Sequence, residues 1–175
     1  MTTQDYIDNQ MPTPRATVES INRQAQGTAN WKLALRDLRQ FVGPGQLACL
    51  RDMCGEDCEE REFFQAKAVE LAGLIANMPK NYEQDGKGDE AIATLHYFKG
   101  GADFWITEKD MGVFGSASPT EEADLTQHQA FGLVDLGYGP ELGYISIVGL
   151  LANGVELDFH FTPCTLAEIQ AKQAA

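Results

Sequence analysis

The chain has 175 residues, enough to bury one hydrophobic core of ordinary domain size. Its 43% hydrophobic content excludes global disorder, and no apolar run reaches transmembrane length. A formal net charge of -13, from 26 acids against 13 bases, argues against direct binding of nucleic acid or of an anionic membrane, because both require positive surface.

The first residues carry no basic region followed by an apolar one, so no signal peptide is read and a cytoplasmic location is expected. In that compartment Cys49, Cys54, Cys58 and Cys164 are expected to stay reduced. Residues 1–16 are polar and contain Pro12 and Pro14, which reads as a flexible tail. Residues 17–175 read as a single α+β domain: a helical part at 17–80, a sheet part at 91–161 and a terminal helix at 165–172.

Within the helical part, a short helix is expected over 17–26, with Val18, Ile21 and Ala25 on one face. Asn30 is a candidate cap for a second helix carrying Trp31, Ala34, Leu35 and Leu38. Gly43, Pro44 and Gly45 interrupt it, and a further short helix is expected over 46–53. The strongest periodicity lies at 58–77. Phe64, Ala68, Leu71, Ile75 and Met78 advance by four, three, four and three, the spacing of one buried helical stripe. Asp57 with Glu60 three residues on suggests a capping box at its start, and Pro79 ends it.

Residues 81–90 read as a polar loop joining helices to sheet. Residues 91–98 then read as one central strand with two fairly apolar faces, and Gly100-Gly101 turns the chain into a second strand at 104–107. Glycines and Pro140 separate two further apolar runs, at 131–136 and 142–147, as a hairpin. A helical turn is expected at 148–153, closed by Asn153 and Gly154. Val155, Leu157, Phe159 and Phe161 alternate with Glu156, Asp158 and His160, which suggests a half-buried strand. Thr165 with Glu168 caps the last helix. The sum is an α+β fold, an antiparallel sheet of about five strands packed against an N-terminal helical segment.

Chemistry is sparse by comparison. Cys49, Cys54 and Cys58 lack the close pairing and the nearby histidine of structural zinc sites. Glu156, Asp158 and His160 would share one strand face, but a histidine there is more often a plain surface residue. No serine sits in a nucleophile elbow, and the glycines at 132–143 match no phosphate-binding fingerprint. Glu108, Asp135, Glu141 and His160 are the residues that a small carboxylate- or metal-dependent hydrolase would use. No catalytic residue, metal or cofactor is assigned. What remains is the acidity. Residues 111–171 contain no Lys or Arg, while Glu121, Glu122, Asp124, Glu156 and Asp158 are the expected contacts for a positively charged partner.

Leu95-His96-Tyr97-Phe98, Trp105-Ile106-Thr107-Glu108-Lys109-Asp110, Phe131-Gly132-Leu133-Val134 and Glu141-Leu142-Gly143-Tyr144-Ile145-Ser146 together resemble an uncharacterised family of small proteins encoded on plasmids, phages and integrated elements. Its pattern is an aromatic strand, then Trp-x-x-Thr-Glu, Phe-Gly and Glu-Leu-Gly-Tyr; this chain departs from it in having one residue, Ile106, between Trp105 and Thr107. The likeness covers residues 96–147 and brings no catalytic residues with it. It implies a mobile-element setting, in which small acidic proteins often block host nucleases, restriction systems or CRISPR surveillance complexes. The expected function is therefore a non-enzymatic, DNA-mimic-like inhibitor that docks on a basic groove of a host nucleic-acid-handling protein. A small hydrolase and a structural or assembly protein of the element are the alternatives. The oligomeric state is left open, a homodimer included.

Overall fold

The computed structural model describes residues 31–111 and 127–173. They form an α+β fold in which an N-terminal helical segment packs against an antiparallel sheet. The expected helix at 17–26, the cap at Asn30 and the acids Glu121, Glu122 and Asp124 lie outside the described residues.

Three helices open the described chain: α1 (Trp31–Asp37), α2 (Pro44–Met53) and α3 (Arg61–Asn77). Helix α1 tightens into a 3-10 turn at Leu38–Gln40. Pro44 occupies the first turn of α2, where its missing N–H costs nothing, so the helix begins earlier than residue 46. Helix α3 begins later than expected, at Arg61, and Asp57 does not cap it. Successive turns, Cys58 N–H to Gly55 O and Arg61 N–H to Cys58 O, take up that segment instead. At the other end of α3, the Lys109 Nζ donates to the carbonyls of Ile75 (2.6 Å) and Ala76 (2.9 Å), a cation on the negative end of the helix. Desolvation there, with Lys80 nearby, lowers the Lys109 pKa.

The main sheet has five strands: β2 (Leu95–Lys99), β3 (Ala102–Glu108), β4 (Ala130–Asp135), β5 (Glu141–Ile145) and β6 (Glu156–Leu157), ordered β5-β4-β3-β2-β6. The strand expected at 91–98 is broken. β1 (Ile92–Ala93) leaves the main sheet to pair with β7 (Cys164–Thr165), and Thr94 is the joint. The strand expected at 155–161 shrinks to β6. Asp158 accepts the His160 N–H (2.9 Å) and closes a turn, so His160 does not share a strand face with Glu156. Helix α4 (Ile147–Ala152) follows β5, capped by the Ser146 hydroxyl, which accepts the Gly149 N–H. Helix α5 (Leu166–Gln173) ends the described chain. Its capping box is complete: Thr165 N–H donates to Glu168, and Glu168 N–H donates to the Thr165 hydroxyl.

Alternation along the strands gives the sheet two different faces. Leu95, Tyr97, Ile106, Ala130 and Ile145 face the helices and join Leu38, Leu50, Ala68, Leu71 and Ile75 in the main core. The buried Tyr97 hydroxyl donates to the Phe41 carbonyl (2.7 Å) and ties sheet to helices, and its burial pushes the phenol pKa well up. Gln46 seals the edge at β6 by donating to the Leu157 carbonyl and accepting its N–H, much as a neighbouring strand would. The second face carries a smaller core. Trp105 and Leu133 meet Leu166 and Ile169 of α5, with Ala91 and Ala93 beside them. The middle of that face is therefore covered, and its two ends differ in chemistry.

Candidate functional site

One end of the second face is acidic. Strand register sets Glu156 opposite Phe98, Phe98 opposite Asp103, and Asp103 opposite Asp135. Residues directly opposite in antiparallel strands point to the same side. Glu156, Phe98, Asp103 and Asp135 therefore form one transverse row across β6, β2, β3 and β4. At about 4.8 Å per strand the row spans about 14 Å.

Asp158 stands beside this row. The His96 ring lies between it and Asp103, with Nε2 2.8 Å from Asp103 Oδ1 and Nδ1 3.3 Å from Asp158 Oδ2. The ring stacks on Trp105 at 5.2 Å and an interplanar angle of 12°, and Phe161 contacts it from another side. His96 thus fixes two carboxylates on a rigid aromatic base. Asp135 accepts from Gly137 N–H (2.7 Å) and Gln173 Nε2 (3.4 Å). Among the described residues, neither Glu156 nor Asp135 forms an ion pair. Lys172, the first base after Lys109 in the chain, sits beside Glu168 and Cys164.

The other end holds a cavity of about 530 Å³. A β-bulge at the end of β3 turns Glu108 onto the second face, opposite Phe131. The bulge sits where Gly132 is required, since a Cβ there would lie 2.0 Å from the Trp105 carbonyl oxygen. Glu108 is buried and accepts two backbone N–H groups, Tyr82 (2.9 Å) and Gln84 (2.5 Å). Gln84 is buried as well and bonds both Ile92 and Thr107. The loop at 81–90 is thus clamped to the sheet. Tyr82 adopts a left-handed backbone, φ 74°. Its hydroxyl meets that of Tyr144 on β5 at 3.1 Å across the cavity rim. That hydrogen bond, with smaller contributions from burial and the Glu108 charge, raises the Tyr144 pKa.

Of the sequence candidates, Glu156 and Asp158 reach one region of the sheet, whereas Glu121, Glu122 and Asp124 are not described. The hydrolase set disperses. Glu108 lines the cavity, Asp135 lies at the far end of β4, Glu141 pairs with Val134 on the opposite face, and His160 is exposed in a turn. The four thiols are free, and among the described residues no group of three or more His, Cys, Asp or Glu side chains could hold a metal ion. Burial, and then the neighbouring Cys58, raise the Cys54 pKa. Sequence reading missed Asp103, His96, Asn81, Tyr82 and Tyr144. The parity of the two strands around Gly100-Gly101 already places His96 and Asp103 on one face, but no local signal marks the other three.

No helix among the described residues is long and apolar enough to cross a membrane. Comparison with known proteins finds no matching family model, curated protein or solved structure.

Proposed function

We propose that the protein is a non-enzymatic binding protein whose acidic sheet end docks on a basic, nucleic-acid-binding groove of another protein. The observation that carries this reading is the transverse row of Glu156, Asp103 and Asp135, with Asp158 held beside it by His96. Carboxylates fixed on a sheet lose little side-chain freedom on binding. They present regularly spaced negative charge to a groove that evolved for phosphates. Phe98, 39% exposed in the middle of the row, adds a flat apolar surface for contact. Glu121, Glu122 and Asp124 are proposed to extend the acidic surface.

The proposed partner is a defence system that grips DNA in a basic groove, a restriction enzyme or a CRISPR surveillance complex. The test is capture of such complexes by the full chain at about 50 and 300 mM salt, with double-stranded DNA as competitor. The expected result is capture at low salt that DNA displaces and that Glu156→Lys with Asp135→Lys abolishes. Capture that is indifferent to salt, to DNA and to both charge reversals overturns the reading.

A further inference from the structure

Positive charge is scarce in this chain, and part of it is gathered in one place. Four of the 13 bases, Lys32, Arg36, Arg39 and Arg51, line a groove between α1 and α2, and no described Asp or Glu lines it. Lys32, Arg36 and Arg39 follow one another at four and three residues along α1 and its 3-10 extension, which sets them on one side of that helix. Arg51 comes from the last turn of α2.

The groove holds about 580 Å³, within the usual range for small-molecule sites, about 300–1,000 Å³. Among the residues that line it, Leu35 and Val42 are buried, Trp31 and Leu47 are half-buried, and the four bases are exposed. Apolar surface therefore forms the floor, and the charges form the rim.

Three of the four charges already have company. Arg36 meets Asp37 at 3.3 Å and Arg51 meets Asp52 at 3.2 Å, in exposed pairs that hold little energy. Lys32 Nζ lies 5.4 Å from the centre of the Trp31 ring. Among the described residues, Arg39 forms neither an ion pair nor a ring contact. One open guanidinium suits one anionic head. A polyanion would have to displace the pairs and would meet the field of a chain with net charge -13. The guanidinium fork fits a carboxylate, sulfate or phosphate, and the floor favours an apolar body behind it. We infer that this groove binds an amphipathic anion, its apolar body along Leu35, Val42 and Leu47 and its head on Arg39.

The experiment is a titration of the isotope-labelled full chain, followed by amide NMR shifts, with octanoate, hexanoate, acetate and octyltrimethylammonium. Octanoate is expected to shift the amides of Leu35, Arg39, Leu47 and Ala48, with a Kd of about 1 mM or tighter. Hexanoate, two methylenes shorter, should bind about tenfold more weakly, and acetate and the cation should not bind. Arg39→Gln, an exposed substitution that the fold tolerates, should weaken octanoate about tenfold and keep the preference for the longer chain. Phosphatidylglycerol vesicles should leave these amides unshifted, because the net charge holds the chain off an anionic bilayer. The inference fails if octanoate shifts none of these amides up to about 10 mM, or if the vesicles shift them in its place. It fails equally if acetate or the cation binds as tightly as octanoate, or if Arg39→Gln leaves the affinity unchanged. None of these failures touches the acidic row, whose test reads salt and DNA competition.

Discussion

Glu108 shows how much a single buried carboxylate organises here. Both oxygens are spent on backbone N–H groups of a loop some two dozen residues earlier in the chain, so the side chain acts as a clasp. The clasp holds Tyr82 in its left-handed backbone, a conformation that costs a non-glycine residue about 1 kcal/mol or more and persists only where its surroundings impose it. Glu108→Gln offers one acceptor in place of two and points an amide N–H₂ at a backbone donor. It should destabilise the fold by about 2–3 kcal/mol in chemical denaturation, and it should detach the Tyr82 ring from Tyr144. The second effect has its own readout. The Tyr144 pKa stands above its ordinary 10.0 chiefly because Tyr82 bonds its hydroxyl. Tyr82→Phe should therefore move one phenol transition toward lower pH in an ultraviolet titration, with stability almost unchanged.

At the scale of elements, what could be read in advance was what local pattern controls. The stripe from Phe64 to Met78, the turn at Gly100-Gly101 and the Thr165–Glu168 box each depend on residues within a few positions of one another, and each forms. What failed depends on distant partners. Thr94 breaks a strand because Ala93 pairs with Cys164, whereas β6 is the local exception, ended where the Asp158 carboxylate closes a turn on the His160 N–H. The candidate sites were legible only in part for the same reason. The acidic row exists through register across four strands, and the cavity through a loop whose polar composition hides a buried Asn81 and Gln84. The capping box permits a test at this scale. Its N–H and hydroxyl bonds lower the Glu168 pKa below the ordinary 4.5. A depressed carboxylate pKa contributes stability that is present above 4.5 and is lost as pH falls through the folded value. Thr165→Ala should lower Tm by about 2–4 °C near neutral pH. The gap from wild type should narrow as acid protonates Glu168 and weakens the Thr165 hydroxyl–carboxylate bond, while the part owed to the Glu168 N–H cap remains.

At the scale of the whole molecule, the net charge of -13 sets two demands against each other. Like charges facing one another across strands are destabilising, and Asp103 stands directly opposite Asp135. An arrangement that lowers stability and persists in a sheet is consistent with selection for binding rather than for folding. Asp135→Asn keeps the shape and the oxygen that accepts the Gly137 N–H, and removes one of the facing charges. It should raise stability by about 0.5 kcal/mol at low salt while weakening the complex with a basic partner. Salt should separate the same two effects in the unmodified chain. Screening acts over about 10 Å at 0.1 M, so it relaxes repulsion within the free protein and also weakens attraction to a positive groove. Raising salt from about 20 to 200 mM should therefore raise Tm and lower affinity together, with calorimetry and equilibrium binding measured on one preparation. In Asp135→Asn both slopes should be shallower. If affinity and stability instead rise together with salt, the association is driven by apolar contact such as the exposed Leu142 and Tyr144 of β5, and the acidic row is not its docking surface.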